Sequence, residues 1–309
     1  MALLFISAVE DPEVWRAEFA RVLPAEEFRI WPEAGDRAEI EFLLVWRPPL
    51  GAMKGFPNLK AILNMGAGVD QVLADPEIPR DVPLVRLVDR GLREGMVEFV
   101  LHAVLHFHRN FHRYRAQQAR KAWIDIPQIL PGARRVGILG FGQLGQAAAR
   151  HLVALGFPVA GWSRTRKRVP GVESFVGHGE FSKFLARTDI LVCLVPLTQD
   201  TDGIVNSATL AQLPRGAYLV NAGRGGLAVE ADILAALETG QLAGAWLDVF
   251  RQEPLPPESP FWTHPNVIVT PHNAAVTQPG PAALELADNI RLIRSGLAPN
   301  GLVDKARGY

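Results

Sequence analysis

With 309 residues and 48% hydrophobic content, the chain is long enough for two domains with filled cores, at roughly 150 residues per domain. Its 32 Lys and Arg balance 32 Asp and Glu, so a formal net charge of +0 gives no global field toward nucleic acid or anionic lipid. The single cysteine, Cys193, allows no disulfide within the chain and fits a reducing cytoplasm, and no apolar run approaches the roughly 20 residues of a membrane helix.

The N-terminal run A-L-L-F-I-S-A-V lacks a basic flank and is followed at once by Glu10 and Asp11. It reads as a first strand and not as a signal peptide. Strand-like runs recur at 28–31, 42–46, 59–64 and 84–88, with helix-like pieces at 14–22 and about 69–73 between them. This alternation predicts a parallel, doubly wound unit. It has no glycine fingerprint of its own, so its expected ligand is something other than a dinucleotide. The turn G-A-G-V-D, Gly66 to Asp70, ends a strand and opens a short helix. Its closely spaced N–H groups can hold a carboxylate.

From 94 to about 120 the pattern predicts one long helix, with Val97, Val100, Leu101, Val104, Leu105 and His108 on an i, i+3, i+4 stripe. Glu98, His102 and His106 are spaced to share a face. The H-E-x-x-H pattern is absent and no further ligand is evident, so no metal is expected. The helix reads instead as an interdomain and dimer-forming element with a polar flank.

Residues 123–132, rich in proline and apolar side chains, lead into R-V-G-I-L-G-F-G-Q-L-G, Arg135 to Gly145. An apolar strand at 136–139 is followed by Gly140, Gly142 and Gly145 in G-x-G-x-x-G spacing, and then by a helix over 144–155. Strand, glycine turn and helix together predict a dinucleotide site, with the pyrophosphate on the helix N-terminus. The next strand, F-P-V-A-G-W-S, ends in Ser163. An NAD unit usually places an acidic residue there, about 20 residues past the motif, on the ribose 2′-hydroxyl. Here Ser163 is followed by Arg164, Thr165, Arg166, Lys167 and Arg168. No acid rejects a 2′-phosphate and several cations can bind one, so NADP is favoured over NAD.

The alternation continues through strands at 190–195, 217–220, 243–249 and 267–270, with a helix over 230–238. Cys193 lies in the apolar run I-L-V-C-L-V as a core residue. A final helix over 279–295 can cross back to the first domain. Three polar residues stand just past these strands: Arg224 in V-N-A-G-R-G-G, Glu253 in L-D-V-F-R-Q-E-P, and His272 in V-I-V-T-P-H-N. Each alone has an ordinary explanation: a solvated arginine, a glutamate before a proline turn, a histidine at a helix start. Beside a nicotinamide site they form a working set. Hydride addition to a carbonyl builds negative charge on its oxygen, which a protonated His272 can quench. Glu253 beside the imidazole would hold its tautomer and favour the protonated form. Arg224 can bind a carboxylate in bidentate fashion and polarise the adjacent carbonyl. The expected substrate is a small 2-oxo acid.

G-x-G-x-x-G, N-A-G-R-G, D-V-F-x-x-E-P-L-P and T-P-H, in this order, resemble the D-isomer-specific 2-hydroxyacid dehydrogenases over the whole chain. V-W-R-P-P around Trp46, G-A-G-V-D, W-S-R-T-R-K and the terminal V-D-K-A-R-G-Y narrow the resemblance. They point to the NADPH-preferring, cytoplasmic members that reduce glyoxylate and hydroxypyruvate. The resemblance implies an α/β fold of two doubly wound, Rossmann-like parallel-sheet domains with a cleft between them. Residues 1–92 plus 280–309 would bind substrate, and an inserted domain at 93–279 would bind NADP. Arg224, Glu253 and His272 would be the catalytic arginine, glutamate and histidine. Ala67 and Gly68 would bind the substrate carboxylate through their amides, with Trp46 lining the pocket. Cofactor contacts would include Gln143, Leu144, Pro196, Thr201 and Ala222, with Asp248 near the carboxamide. A homodimer formed by the cofactor domains is also implied.

Some positions depart from the family pattern. Arg47 stands where histidine is familiar, Gly223 where alanine is usual, and Asn273 follows the histidine where an apolar residue is commoner. None removes a reacting group, and Arg47 can add a second cation near the substrate. Two other readings share the fold: a dehydrogenase for another small acid such as formate or phosphite, and a redox-sensing dinucleotide-binding module. Glu253 argues against formate, because formate dehydrogenases of this fold lack the Glu–His pairing.

Overall fold

The computed structural model describes residues 2–309, and these divide into two compact units. One runs to Leu92 and includes Val276–Tyr309; the other is Arg93–Ala275.

The first unit is built from β1 (Ala2–Ser7), α1 (Pro12–Val22), β2 (Glu27–Ile30), β3 (Ile40–Trp46), β4 (Ala61–Asn64), α2 (Asp70–Leu73) and β5 (Leu84–Arg86). Asp11 starts α1 by accepting the Glu13 N–H at 2.9 Å, and Pro12 fits the first turn. Trp15, Phe19 and Val22 then bury the stripe at i, i+4 and i+7. The strands pair in the order β2-β1-β3-β4-β5, all parallel. β1, β3 and β4 are almost wholly buried, as continuous apolar strands covered on both faces must be. This order reverses direction between β1 and β3, and ligands bind outside the carboxyl ends at such a switch point. Trp46 closes β3 there.

Asp89 opens α3 (Arg90–His108) by accepting the N–H groups of Gly91 and Leu92 at 2.9 and 3.1 Å. A second helix, α4 (Phe111–Ala119), follows. The single long helix expected from periodicity is therefore two. Asn110 takes the left-handed conformation, φ 59°, between them, and its carbonyl restarts the bonding by accepting from Arg113 and Tyr114. Asparagine tolerates that conformation, and a hydrophobic stripe running past it carries no sign of the break.

The second sheet is formed by β6 (Val136–Leu139), β7 (Val159–Ser163), β8 (Val172–Val176), β9 (Ile190–Cys193), β10 (Ala217–Asn221), β11 (Leu242–Leu247) and β12 (Val267–Val269). Its helices are α5 (Gln143–Ala154), α6 (Gly177–Ala186), α7 (Ser207–Leu210) and α8 (Glu230–Glu238). The strand order is β12-β11-β10-β9-β6-β7-β8, all parallel, with the switch point between β6 and β9. One face packs on Phe184, Leu185, Ile233 and Phe261, the other on Val100, Val104, Phe107 and Leu152. Cys193 is fully buried, and burial pushes its thiol up to about 12.

The last helix, α9 (Pro279–Arg294), belongs to the first unit and packs on α1. Arg291 donates to the Val22 carbonyl at 2.6 Å, and Arg294 pairs with Glu26 and the buried Glu41. Among the described residues no helix is long and apolar enough to cross a membrane.

Candidate active site

The turn between β6 and α5 shows what each glycine is for. Gly140 has φ +111°, and a Cβ there would lie 2.4 Å from the Val195 nitrogen. At Gly145 a Cβ would lie 2.3 Å from the Gly140 oxygen, so the helix could not seat on the strand. Gly142 differs, because a Cβ there would meet no protein atom within 4 Å. Its backbone is ordinary, φ −80°, and it heads α5 without a side-chain cap. Packing does not require glycine at this position; the clearance it leaves lies at the positive end of a helix. Gln143 and Leu144 follow in the first turn. These residues fit the pyrophosphate of a dinucleotide.

The loop after β7 sorts its cations. Arg166 donates to the Ser174 carbonyl at 2.5 Å and to Glu180 at 2.7 Å, so it is committed to β8 and α6. The Ser163 hydroxyl donates to the Thr165 carbonyl at 2.8 Å, and the Lys167 N–H donates to the Ser174 hydroxyl at 3.2 Å. These bonds shape an open loop on which Arg164, Thr165 and Arg168 are exposed and Lys167 half-buried. After β9, the Thr201 hydroxyl is used within its own turn, donating to the Pro196 carbonyl at 2.6 Å and accepting from the Thr198 N–H at 2.8 Å. Ala222 is buried, with its N–H on the Cys193 carbonyl at 3.3 Å.

Arg224, Glu253 and His272 follow β10, β11 and β12, which are neighbours in the sheet. Asn221, buried at the end of β10, donates to the Arg224 carbonyl at 3.1 Å and accepts from the Gly223 N–H at 3.3 Å. A Cβ at Gly225 would lie 1.8 Å from the Phe250 carbonyl carbon, so the Arg224 loop lies directly on the loop after β11. Glu253 accepts the Phe250 N–H through Oε1 at 3.1 Å, and its Oε2 lies 2.8 Å from His272 Nδ1. With the carboxylate as acceptor, Nδ1 is the donor of this pair and Nε2 is not engaged by it. The two side chains are 25% and 30% exposed, sheltered but reachable.

His272 itself has φ 53°, an uncommon conformation held from below by Asp248. Its N–H donates to the Asp248 carbonyl at 2.8 Å. The Asp248 carboxylate, in a residue 1% exposed, accepts from the Thr270 hydroxyl at 2.6 Å and from the N–H groups of Asn273 and Ala274 at 3.0 and 2.9 Å. The structure thus places Asp248 as a buried anchor for the histidine loop.

In the first unit, Trp46 lies over the turn after β4: a Cβ at Gly66 would fall 2.2 Å from its ring. Asn64, fully buried, donates to the carbonyls of Gly66 and Gly68 at 2.7 and 2.9 Å. In a trans peptide the following N–H points opposite to its carbonyl, so the Ala67 amide faces away from Asn64. Arg47, next to Trp46, has φ 49°.

Asn64, Asn221 and Thr270 brace these loops, a role that the sequence reading assigns to none of them, although Asn221 and Thr270 lie within N-A-G-R-G and T-P-H. For the two asparagines the signal is an asparagine closing an apolar strand, as in A-I-L-N and Y-L-V-N. His102 and His106, spaced to share a face of α3, pack edge-on against Trp246 at ring separations of 5.1 and 5.5 Å. Among the described residues no group of three or more His, Cys, Asp or Glu is arranged to hold a metal ion.

The family model for the D-isomer specific 2-hydroxyacid dehydrogenase NAD binding domain matches residues 101–274. A D-isomer specific 2-hydroxyacid dehydrogenase of Xanthobacter autotrophicus Py2, crystallised with NADPH and MES, is 42% identical. The match covers 100% of this chain and 99% of that one, with a TM-score of 0.97. The chain belongs to the D-isomer specific 2-hydroxyacid dehydrogenase family. The NADPH-dependent glyoxylate/hydroxypyruvate reductase of Sinorhizobium meliloti, crystallised with NADP and sulfate, is also 42% identical. That match covers 100% of both chains, with a TM-score of 0.94. In this dehydrogenase the matched span lies within the second unit and holds the glycine turn and the loops of Arg224, Glu253 and His272.

Proposed function

We propose that this dehydrogenase reduces small 2-oxo acids with NADPH, glyoxylate to glycolate and hydroxypyruvate to D-glycerate, close to glyoxylate/hydroxypyruvate reductase A. The observation that carries this reading is the His272–Glu253 pair at 2.8 Å, set beside the Arg224 loop at the ends of adjacent strands. NADPH, when bound, supplies the hydride. The Arg224 fork binds the substrate carboxylate and polarises the neighbouring carbonyl. His272 delivers a proton from Nε2 to the oxygen as charge builds there, and Glu253 keeps Nδ1 protonated and the ring oriented. In the first unit, the amides of Ala67 and Gly68 serve the substrate carboxylate, with Trp46 and Arg47 beside them.

The cofactor reading assigns the pyrophosphate to Gly140, Gly142, Gln143, Leu144 and Gly145. It assigns the 2′-phosphate to Ser163, Arg164, Thr165 and Lys167. Pro196, Thr201, Ala222 and Asp248 shape the rest of that site. Crystals of both similar proteins hold NADPH or NADP, which supports the choice. A buried lone cysteine fits a cytoplasmic setting, and a homodimer completes the reading.

The test is NADPH oxidation against glyoxylate, hydroxypyruvate, pyruvate and larger 2-oxo acids. Turnover should be fastest with glyoxylate or hydroxypyruvate and much slower with NADH. Negligible turnover with every acid would overturn the reading and favour a redox-sensing module.

A further inference from the structure

The loop bearing His272 is gripped at two places. Glu253 holds the ring, and the turn 270–274 is held through its backbone. The second grip depends on a side chain with no part in the reaction above. Thr270 Oγ1 donates to Asp248 Oδ1 at 2.6 Å and accepts the indole N–H of Trp246 at 3.2 Å. Trp246 is 7% exposed and packed edge-on by Phe99, His102 and His106 at 5.5, 5.1 and 5.5 Å, so its N–H is aimed and cannot swing to water. With one lone pair of the hydroxyl taken by that donor, the Thr270 proton is directed at the carboxylate.

Asp248 needs that proton. Among the described residues no cation pairs with it, and its charge rests on the Thr270 hydroxyl and two backbone N–H groups. A buried carboxylate served only by neutral donors is sensitive to the loss of any one of them. The same carboxylate grips Asn273 and Ala274, and the Asp248 carbonyl grips the His272 N–H at 2.8 Å. If the carboxylate turns, the left-handed conformation of His272 loses the contacts that determine it, and Nε2 moves.

We propose that Thr270 is a positioning residue for proton delivery, its hydroxyl oriented by Trp246 and locking Asp248 under the His272 turn. The proposal rests on the reading of His272 as proton donor. It is distinct from a packing role because the volume of the side chain is not what matters: Thr270→Val keeps the shape and removes only the hydroxyl.

The experiment compares Thr270→Val, Thr270→Ser, Trp246→Phe and His272→Ala with the unmodified chain, using NADPH and glyoxylate. In Thr270→Val, kcat should fall about ten- to a hundredfold, the cost of misplacing a catalytic group by about 1 Å. The KM for NADPH and its Kd by fluorescence titration should change far less than kcat, since Thr270 itself is assigned no cofactor contact and only Asp248, at one end of the cofactor site, is disturbed. Thr270→Ser restores the donor and should recover most of kcat. Trp246→Phe removes the orienting N–H together with part of the buried indole, and should give a smaller kcat loss with a much smaller change in the KM for NADPH. A merely structural role would lower the melting temperature and the active fraction in Thr270→Val and Thr270→Ser alike, without this split. A kcat in Thr270→Val within about threefold of the unmodified chain, or a loss that serine does not restore, overturns the proposal. If Thr270→Val fails to fold, Trp246→Phe decides, and an unchanged kcat there is the overturning result. A His272→Ala variant with normal rate would instead overturn the reading of His272; a dead His272→Ala beside a normal Thr270→Val overturns the placement of Thr270 alone.

Discussion

The loop after β4 and the loop after β10 are both braced by a buried asparagine at the end of the strand, yet they deliver different things. Asn64 draws in the carbonyls of Gly66 and Gly68, which turns the Ala67 N–H away from Asn64. Asn221 draws in the Arg224 carbonyl, and what the loop presents is a guanidinium. The β6 loop resembles the first kind, with bare amides at the start of α5 and clear space at Gly142. The loops of Glu253 and His272 resemble the second. Amide-presenting ends need glycine wherever a ring, a carbonyl or a ligand comes close. Side-chain ends need one reactive residue and a hidden polar anchor, Asn221 in one case and Asp248 in the other.

If this division is sound, side-chain ends should fail most sharply. His272→Ala removes the proton donor and should lower kcat by about 10²–10⁴, with the KM for NADPH little changed. Arg224→Lys keeps the charge and loses the planar fork. Charge-assisted bonds are worth about 1.5–3 kcal/mol each, so losing one arm of the fork should lower kcat/KM for glyoxylate by about ten- to a hundredfold. Near-normal kinetics in either variant would move that loop to the structural class.

The basic loop after β7 combines the two kinds and should show an intermediate effect. Replacing Arg164 and Lys167 with alanine should raise the KM for NADPH tenfold or more, by the same charge-assisted arithmetic, and leave that for NADH nearly unchanged. Arg166→Ala should do much less, because its guanidinium is already committed to Glu180 and the Ser174 carbonyl. Equal losses for both cofactors would show that the loop does not read the 2′-phosphate.

A sharper comparison comes from the two braces. Asn64→Ala should raise the KM for glyoxylate several-fold and leave the KM for NADPH alone, since a lost buried hydrogen bond costs about 1–3 kcal/mol. Asn221→Ala should instead appear in kcat, through the Arg224 loop. The same change in both variants would mean that the braces only stabilise their sheets.

These differences also explain what the chain discloses when it is only a string of letters. Glycine spacing and reactive side chains past apolar strands are legible, because each chemistry demands a residue type at a fixed offset. The braces are not, because an asparagine ending A-I-L-N looks like any strand terminator until its loop is folded over it. The strand β8 is hidden for another reason: it lies at the sheet edge, and V-E-S-F-V buries only Phe175 fully. Its partner helix α6 opens with G-H-G, which reads as a turn. The break at Asn110 is hidden too, because the apolar stripe continues past it.

The smallest expected effect lies beneath the two kinds of loop. Under β3 and β4 the first unit packs Leu43, Val45, Met53, Ile62 and Val72, with no histidine in that cluster. Under Trp246 the second unit packs His106 and His112, their rings 5.9 Å apart. Burial, helped by facing imidazoles and arginines, pushes both imidazoles from the ordinary 6.5 down to about 4. The facing groups are His102 and Arg115 for His106, and His106, Arg113 and Arg134 for His112. Both rings are therefore neutral in the folded chain at a pH where the unfolded chain binds protons. Stability from this source is fully present above about pH 6.5 and declines as pH falls toward 4. The melting temperature should drop across that window, and the double variant His106→Phe, His112→Phe should drop less steeply, with kcat at neutral pH nearly unchanged. Carboxylates held below their ordinary range, such as Glu26, Glu41 and Asp189, act only in the acid part of the window. The difference between the two proteins should accordingly open between about pH 6.5 and 5, before those acids titrate. Parallel melting curves there would mean that the histidine layer is no weaker in acid than the apolar layer of the other sheet.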